Sequence, residues 1–460
     1  MSEDDVRDLI HSVVERGSTL GVTATAAEIR TKFSRTGGTG APKAAAASPL
    51  GRRVAVLLVA ALILAVFFVP FPHLGLFNHF VTPAGRSTTV TSVTAPRTTS
   101  RNVPPADLTL TTVWTVGASA AWVEWDQNTP GNAQGLVRST DGGKHWTDVT
   151  PPGSGAAVGA GFIGDLFALD AEHAWVTYQA TSSGVAQEIA TTSNGGRHWT
   201  VVGRSPGLGD CSVQFVTTSD GWCVGIGGAA GSEAVVIYRT EDGGRHWRMV
   251  SDGAPGRSTR GALPFACDKN VQFLSANIGW AAFWCNGGTT PLYETTDGGT
   301  TWTRRSVAET KVAGGSGFTG VPVLTGVAAA VGFTLPAAHG LTRSVVYVSS
   351  DSGRSWHRVT PPGPPTPWFV DTLTARRWRL VNGNRVLATD DAGRTWHTIR
   401  SNVSFDIPFG YTTPPAAHFA SSQVGWIVGS PNASRDLLWR TSDGGRSWRQ
   451  IPVPGLRSTR

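Results

Sequence analysis

Several acidic side chains lie outside the repeated motifs of this 460-residue chain, and their chemistry is that of glycan hydrolysis. Two carboxyl groups flanking a glycosidic bond can act as general acid and as nucleophile or base. Nothing in the spacing of these acids selects a pair, and solvated loop charge explains nearly all of them. They are Asp126, Asp165, Glu172, Glu188, Asp210, Glu233, Asp268 and Asp371.

A short motif that recurs seven times gives the elements that would position such residues. It has the form Ser/Thr-x-Asp-Gly-Gly-x-x-Trp, and its copies lie about 50 residues apart, the length of one four-stranded propeller blade. Each copy lies between two apolar runs, so it predicts a hairpin turn whose acid accepts backbone N–H groups. We call these hairpins the repeat turns, and we number the repeats one to seven. Their acid or amide positions are Asp141, Asn194, Asp242, Asp297, Asp351, Asp391 and Asp443, and their tryptophans are Trp146, Trp199, Trp247, Trp302, Trp356, Trp396 and Trp448.

The two glycines of the repeat turn differ in how strictly they recur. The second glycine is present in all seven copies, whereas the first is replaced by Ser352 and Ala392. This difference predicts that the second position needs positive φ and that the first does not. The tryptophan is expected to cover the turn and to anchor it to the sheet.

A second tryptophan precedes the repeat turn in most repeats, usually after Gly or Ala, and we call it the landmark tryptophan. The sixth repeat carries it as Trp378, closer to its turn, and the fifth repeat has none. Strand-like runs lie before and after this landmark, which gives four strands per repeat. The sequence therefore predicts an all-β fold, a seven-bladed β-propeller of four-stranded antiparallel blades at residues 107–456.

The repeat turn resembles the Asp-box, also called the bacterial neuraminidase repeat, of sialidase-like propellers. The whole repeat unit is similar to that of the seven-bladed photosystem II assembly and stability factors and their bacterial relatives. The resemblance covers roughly residues 107–456. It implies an extracytoplasmic binding scaffold whose Asp-boxes lie on the outside of the propeller, and it implicates arginines of one propeller face in partner binding.

The tyrosines test whether a sialidase is present. That chemistry needs a Tyr nucleophile with a Glu partner, an Asp acid/base and three arginines that bind a carboxylate. Three of the five tyrosines lie four residues before a repeat-turn aspartate, which is a packing position, and this leaves Tyr178 and Tyr411. The Arg-Ile-Pro element of sialidases is absent as well. We therefore expect no catalytic residues.

Basic residues form a second set of candidates. Arg376, Arg377 and Arg379 surround Trp378 where other repeats have small residues, so we expect them to contact a partner. Six more cations recur three residues after the repeat-turn acid, where a belt of positive charge could bind an anionic polymer or phospholipid head groups. The simpler interpretation is that a long solvated side chain suits an exposed turn. The six are Lys144, Arg197, Arg245, Arg354, Arg394 and Arg446.

The four cysteines lie in repeats three and four. Cys267 and Cys285 fall nearly opposite each other across a hairpin, and Cys211 and Cys223 bracket the equivalent hairpin about three residues out of register. We predict two disulfides within blades, with free buried thiols as the alternative. Zinc binding is disfavoured because no Cys-x-x-Cys spacing is present.

The first quarter of the chain predicts a membrane anchor. Residues 54–69 contain no polar side chain, and three cationic residues closely precede them, which places the N-terminus in the cytoplasm. We predict an uncleaved transmembrane helix at 51–72, because the segment before it is far longer than that of a cleaved signal peptide. Residues 1–50 are predicted to be a cytoplasmic segment with short amphipathic helices, and residues 73–106 a Thr/Ser/Pro-rich linker.

Together these features predict a single-pass membrane protein whose extracytoplasmic propeller binds a protein or an anionic envelope polymer without catalysis. A glycan-acting hydrolase and a sensor that signals through the anchor are the alternatives. The net charge of +7 is moderate for the length, and no nucleotide or metal motif occurs. We expect no nucleic acid partner, no cofactor and no metal ion.

Overall fold

The computed structural model describes only part of the chain. No helix occurs among these residues, and so none that could span a membrane. The predicted cytoplasmic segment at 1–50 and the predicted transmembrane helix at 51–72 lie outside them, and the described residues all belong to the compact unit Gly75–Arg460. The described residues are 91–94, 108–127, 134–152, 154, 163–179, 187–206, 211–229, 232–285, 291–307, 316–337, 341–405, 417–429 and 437–453.

The described residues form 29 strands. Those of the first three repeats, with one strand before them, are β1 (Thr91–Thr94), β2 (Leu108–Val116), β3 (Ala120–Gln127), β4 (Gln134–Ser139), β5 (Thr147–Asp148), β6 (Ile163–Ala168), β7 (Ala174–Tyr178), β8 (Glu188–Thr192), β9 (His198–Arg204), β10 (Cys211–Phe215), β11 (Gly221–Ala229), β12 (Ser232–Thr240) and β13 (Arg248–Asp252). Those of repeats four to seven are β14 (Asp268–Phe273), β15 (Gly279–Cys285), β16 (Leu292–Thr295), β17 (Thr303–Arg305), β18 (Ser316–Phe318), β19 (Val323–Thr325), β20 (Ala328–Pro336), β21 (Thr342–Ser349), β22 (His357–Val359), β23 (Phe369–Thr372), β24 (Trp378–Thr389), β25 (His397–Phe405), β26 (Ala417–Phe419), β27 (Gly425–Gly429), β28 (Leu437–Thr441) and β29 (Trp448–Gln450).

Strands that follow one another in the chain pair antiparallel as meanders. β2–β5, β10–β13 and β26–β29 are four-stranded sheets, and β6–β9 are four strands of a five-stranded sheet. A nine-stranded sheet contains two meanders, β14–β17 and β19–β22, which β18 connects. In the sixth repeat the long strand β24 takes the place of both the second and the third strand of the meander. Residues 378–381 pair with β23, and residues 385–388 pair with β25. The predicted all-β class with four-stranded antiparallel sheets is confirmed.

Burial depends on the position of a strand within its sheet. All residues of the middle strands β4 and β7 are buried, whereas the last strands β5 and β25 are largely exposed. A middle strand can be buried on both faces only if another sheet covers each side. This explains why the middle strands read as continuous apolar runs and not as an alternating pattern.

Seven hydrophobic clusters of described residues fill the spaces between sheets, and each is shared by two consecutive repeats. Trp222 of β11, for example, stacks on Phe273 of β14 with ring centroids 3.9 Å apart. One cluster joins the two ends of the chain of sheets, because Val123 of β3 lies in the same core as Trp426 of β27 and Ile451. The sheets therefore form a closed cycle.

The repeat turns share one hydrogen-bond network, which the fourth repeat illustrates. The Thr295 hydroxyl accepts the Gly299 N–H (2.9 Å) and donates to Asp297 Oδ1 (2.8 Å). Asp297 Oδ1 also accepts the Thr301 N–H (2.9 Å). In this repeat and in the fifth the tryptophan also bonds to its own turn, because Trp302 Nε1 donates to the Gly299 carbonyl (3.1 Å) and Trp356 Nε1 to the Gly353 carbonyl (2.9 Å). The turn is closed by its own side chains.

Both glycine positions of the repeat turn have positive φ, so the prediction that only the second needs it is wrong. At the first position φ is 60° at Ser352 and Ala392, which is the left-handed region that L-residues enter at modest cost. The second position differs by its neighbour, because a Cβ on Gly393 would lie 2.5 Å from Val359 Cγ1 of the preceding sheet. Contact with a neighbouring sheet therefore restricts Gly393 to glycine, whereas a Cβ on Gly244 would meet no atom nearer than 3.5 Å.

The landmark tryptophans lie between sheets and connect them. Trp175 Nε1 donates to the Gly243 carbonyl (3.1 Å) and Trp222 Nε1 to the Gly298 carbonyl (2.9 Å), each in the repeat turn of the next repeat. In the fifth repeat Ala330 occupies the position of the landmark tryptophan, because it pairs with Val348, the residue just before the repeat turn. It lies in the core that the fifth and sixth repeats share.

The cysteines are placed by strand register. A disulfide joins Cys211 of β10 to Cys223 of β11, with a Cα–Cα distance of 5.5 Å. Cys211 faces Gly225, so it lies two positions from Cys223 and not the three estimated from the sequence. Cys267 is also disulfide-bonded, and the register of β14 and β15 continues to a position opposite Cys285. No described cysteine is free.

The predicted linker at 73–106 contains one strand. β1 pairs antiparallel with β9, the last strand of the second repeat, with Thr91 opposite Val201 and Thr94 opposite His198. The predicted linker therefore contributes one strand to the second sheet. The strand covers a sheet edge whose backbone groups would otherwise lack partners.

Two substitutions in the sixth repeat turn should separate backbone strain from sheet contact. We expect Gly393→Ala to lower the free energy of unfolding by about 2 kcal/mol or more, because the new methyl group overlaps Val359 at a positive φ. Ala392→Gly should change it by less than about 1 kcal/mol, because relief of the left-handed strain offsets the greater freedom of the unfolded chain. Thermal unfolding of both variants measures this, and equal losses would contradict the role given to the second glycine.

Candidate functional site

One end of every sheet carries two turns that a backbone hydrogen bond joins. The turn between the first and second strands, which we call the inner turn, accepts the N–H of the first glycine position of the repeat turn in all seven repeats. In the sixth repeat Ala392 donates to the Arg376 carbonyl (2.8 Å), and in the fifth Ser352 donates to the Val327 carbonyl (2.7 Å). We call the surface made by the inner turns and the repeat turns the turn face. These bonds hold its residues at fixed positions.

The turn face carries the cations that recur in the repeat turns. All six are exposed, and within the described part of the chain none of their side chains forms an ion pair with a carboxylate. The guanidinium groups of Arg245 and Arg446 donate to the carbonyls of Asp242 and Asp443, which holds them beside their own turns. Their positive charge remains available to a partner.

Arg376, Arg377 and Arg379 do not act as one group. Arg376 and Arg377 are exposed in the inner turn of the sixth repeat, on the turn face. Arg379 is buried at 3% exposure and donates to the carbonyls of Trp378 (2.9 Å) and Thr389 (3.2 Å) and to a carboxylate (3.2 Å). The expectation that Arg379 contacts a partner is therefore wrong, because β24 is buried on both faces at this point.

Charge is distributed unevenly over the turn face. The inner turns of the second and third repeats carry acids, among them Glu172, which pairs with Arg138, and Asp220, which lies 3.5 Å from Arg239. The inner turns of the fifth and sixth repeats carry no acid, and a hydrogen bond from Ala375 N–H to Thr325 Oγ1 links them. Exposed arginines are therefore concentrated at the fifth and sixth repeats, whose repeat turns also carry Asp351, Asp390 and Asp391.

We call this concentration the basic patch. It combines four exposed arginines of two consecutive repeats with an exposed aliphatic side chain that is 63% accessible. Planar guanidinium groups bind carboxylates and phosphates in a bidentate manner, and an adjacent apolar group adds contact area. The residues of the basic patch are Val327, Arg354, Arg376, Arg377 and Arg394.

Two acids lie between sheets and have raised pKa values. Burial raises the pKa of Glu124 on β3 to about 7, although hydrogen bonds from Thr112 and Thr111 oppose the shift. Burial likewise raises the pKa of Asp165 on β6 to about 7, although the Val213 N–H opposes it, and the charge of Glu124 adds to the rise. A carboxyl group with a pKa near 7 is suited to acid catalysis, but these two groups are buried between neighbouring sheets.

Several of the acids outside the repeat turns, Asp165 among them, bond to the backbone of a neighbouring repeat. Asp165 Oδ2 accepts the Val213 N–H (3.0 Å), and Asp371 Oδ2 accepts the Phe419 N–H (2.6 Å). Each bond runs from the first strand of one repeat to the first strand of the next. Glu233 Oε2 accepts the Lys269 N–H (2.7 Å). Asp210 lies outside the described residues, and sequence reasoning had no signal for these inter-sheet bonds.

Tyr178 has the partner but not the environment of a nucleophile. Its hydroxyl donates to Glu188 Oε2 (3.0 Å), while its side chain is 3% exposed. Burial raises the pKa of the hydroxyl, and the nearby Glu188 charge adds to the rise. A buried phenol that resists ionisation is a poor nucleophile, so the pair stabilises the core. Tyr411 lies outside the described residues.

Lys269 is a buried cation held by backbone groups. Its Nζ donates to the carbonyls of Glu233 (2.6 Å) and Cys267 (2.9 Å), and it lies 4.8 Å from the ring centroid of Phe283. Burial lowers its pKa to about 8. These bonds occupy the ammonium donors, which makes the lysine a structural group.

The described part of the chain contains no group of three His, Cys, Asp or Glu side chains that could hold a metal ion.

Comparison with known proteins identifies a fold and not a family. No family model matches the sequence, and no curated protein does. A puromycin-hydrolysing peptidase of Mycobacterium tuberculosis has 13% identity and a TM-score of 0.51 over 79% of this chain, which spans only 56% of that protein. YCF48 bound to a D1 peptide has 15% identity and a TM-score of 0.46 over 78% of this chain and 98% of its own. An α-L-arabinanase of Penicillium chrysogenum complexed with arabinobiose has 14% identity and a TM-score of 0.39, covering 60% and 92%. Likeness at these identities concerns the fold alone, which is a β-propeller.

The arginines around Trp378 should differ in their effect on stability. Arg379→Ala should lower the free energy of unfolding by about 2 kcal/mol, because it leaves the carbonyls of Trp378 and Thr389 without a donor. Arg377→Ala removes an exposed side chain and should change it by less than about 0.5 kcal/mol. Thermal unfolding of the two variants checks this, and equal stability would show that Arg379 is not a structural residue.

Glu124 should make stability depend on pH. Its folded pKa of about 7 lies above the unfolded value, so the folded state binds more protons between about pH 4.5 and 7 and stability falls as pH rises through this window. Glu124→Gln should reduce that fall by about 2 kcal/mol. Thermal unfolding at pH 5 and pH 8 measures the change, with the exposed Glu241→Gln as control. An unchanged pH dependence in Glu124→Gln would contradict the assignment.

Proposed function

We propose that this chain is a membrane-tethered, extracytoplasmic propeller that binds a protein or an anionic envelope polymer without catalysis. The closed cycle of shared cores and the seven repeat turns support a seven-bladed ring of Asp-box repeats at residues 107–456. The apolar segment within 51–72, with cationic residues before it, supports a single-pass anchor with its N-terminus in the cytoplasm. The two disulfide-bonded hairpins fit an oxidising compartment.

The basic patch is the observation that carries the binding proposal. Its arginines project from turns that hydrogen bonds fix in place, so little conformational freedom is lost when a partner binds. The inner turns beside it carry no acid, unlike those of the second and third repeats, so the only carboxylates near it in the described turns are Asp351, Asp390 and Asp391 of the repeat turns. Positive charge of this kind attracts and orients an acidic partner surface.

Charge reversal on the turn face tests the proposal. Crosslinking followed by mass spectrometry on intact cells identifies the partner of the full-length chain. A variant with Arg376→Glu, Arg377→Glu and Arg394→Glu should reduce its crosslinks about tenfold or more, because like charges then face each other. A control with Lys144→Glu, Arg245→Glu and Arg446→Glu makes the same charge change elsewhere on the turn face and should retain the partner. Retention by the first variant would remove the basic patch as the binding site.

A glycan-acting hydrolase is the second candidate, favoured by the raised pKa values of Glu124 and Asp165. Purified full-length protein should hydrolyse neither sialosides nor glucans under the scaffold proposal. Turnover that Asp165→Asn abolishes would establish the hydrolase and overturn the non-catalytic proposal.

A further inference from the structure

A cavity of about 140 Å³ lies between the sheets of the second and third repeats. Asp165 on β6, Thr177 on β7 and Gln187 before β8 line it on one side. Ser212 on β10 lines it on the other, together with the apolar Val224 and Ile226 of β11. Ser212 is exposed, so the cavity opens to solvent there. Its volume suits a single ion with a few water molecules and is too small for a sugar ring and its neighbours.

The floor of the cavity contains a polar group with unused bonding capacity. Thr177 is 0% exposed, and its hydroxyl has no hydrogen-bond partner among the described residues. A buried hydroxyl in this condition costs about 1–3 kcal/mol unless a ligand satisfies it. Gly164 keeps this floor open, because a Cβ there would lie 3.0 Å from Thr177 Oγ1 and would overlap the Gln187 amide.

The cavity also holds a carboxyl group that pairs with no cation in the described part of the chain. Asp165 lies directly opposite Thr177 in the β6–β7 register, and no ion pair to it is formed there. Its Oδ2 accepts the Val213 N–H, and the Leu166 N–H also bonds to the carboxyl group, which leaves further acceptor sites when the group is ionised. The Gln187 amide can turn its oxygen toward the same space. All of these groups are oxygen donors, which hard cations prefer.

We propose that this cavity is a calcium site, formed by the Asp165 carboxylate, the hydroxyls of Thr177 and Ser212 and the carboxamide oxygen of Gln187, with water completing the shell. Ca²⁺ accepts six to eight oxygen ligands in irregular geometry, whereas Mg²⁺ demands a compact octahedron and dehydrates reluctantly. One carboxylate with neutral ligands gives the weak class of site, with Kd about 10⁻⁴–10⁻³ M. The ion ties the second sheet to the third.

The test compares the thermal midpoint of purified full-length protein in CaCl₂ with that in MgCl₂ and in NaCl at matched ionic strength. The wild type should gain about 2 °C at about 10 mM CaCl₂, with saturation in the millimolar range and no equal gain in the other salts. Titration calorimetry with CaCl₂ should show one site. An equal gain in NaCl, or no gain in CaCl₂, overturns the proposal.

Thr177→Val separates the site from general effects on folding. The substitution keeps the shape and removes a buried unpartnered hydroxyl, so without calcium the variant should be at least as stable as the wild type. In CaCl₂ its gain should disappear, as it should in Asp165→Asn. Thr303→Val, an exposed threonine on β17, is the matched control and should respond like the wild type. A calcium response that persists in Thr177→Val overturns the assignment.

Discussion

Each sheet of this protein has two apolar faces, and only neighbouring sheets can cover both. An open stack would leave one face exposed at each end, whereas a closed cycle leaves none. The closure here brings Gly143 of the first repeat turn so close to Ile451 of the last repeat that a Cβ would overlap it. A similar contact recurs at Gly196 and Gly393, although not at Gly244. The first position accepts Ser352 and Ala392 at a φ of 60°.

The same packing decides what polar residues do. Polar side chains on the first strands lie where sheets meet. Asp165, Gln214 and Asp371 therefore bond to the backbone of the next sheet and hold the two sheets together. Burying a polar group without such a partner is costly. Where packing leaves a gap, as beside Thr177, a polar cavity results, and this is the place where the fold can hold an ion.

Packing also leaves one surface free of these demands. The turns at one end of each sheet are closed by their own hydrogen bonds, so their outward side chains carry no structural task. Acids in the inner turns of the second and third repeats reduce the positive charge there, while the inner turns of the fifth and sixth repeats carry no acid. A symmetric scaffold thus acquires one distinctive region through a few substitutions in its turns, which separates binding from folding.

The sequence by itself determined the repeats, their turns and the antiparallel four-stranded sheets, because turn chemistry and apolar runs act over a few neighbouring residues. Its cysteine spacing anticipated the Cys211–Cys223 link with a register error of one residue. Only the tertiary structure decided that Arg379 is buried while Arg376 is exposed, and that Thr91–Thr94 adds a strand to the second sheet. These outcomes depend on which surfaces meet across distances that no local pattern encodes. The positive φ at both glycine positions was missed for the complementary reason, since the substitution pattern reports steric contact between sheets and not backbone conformation alone.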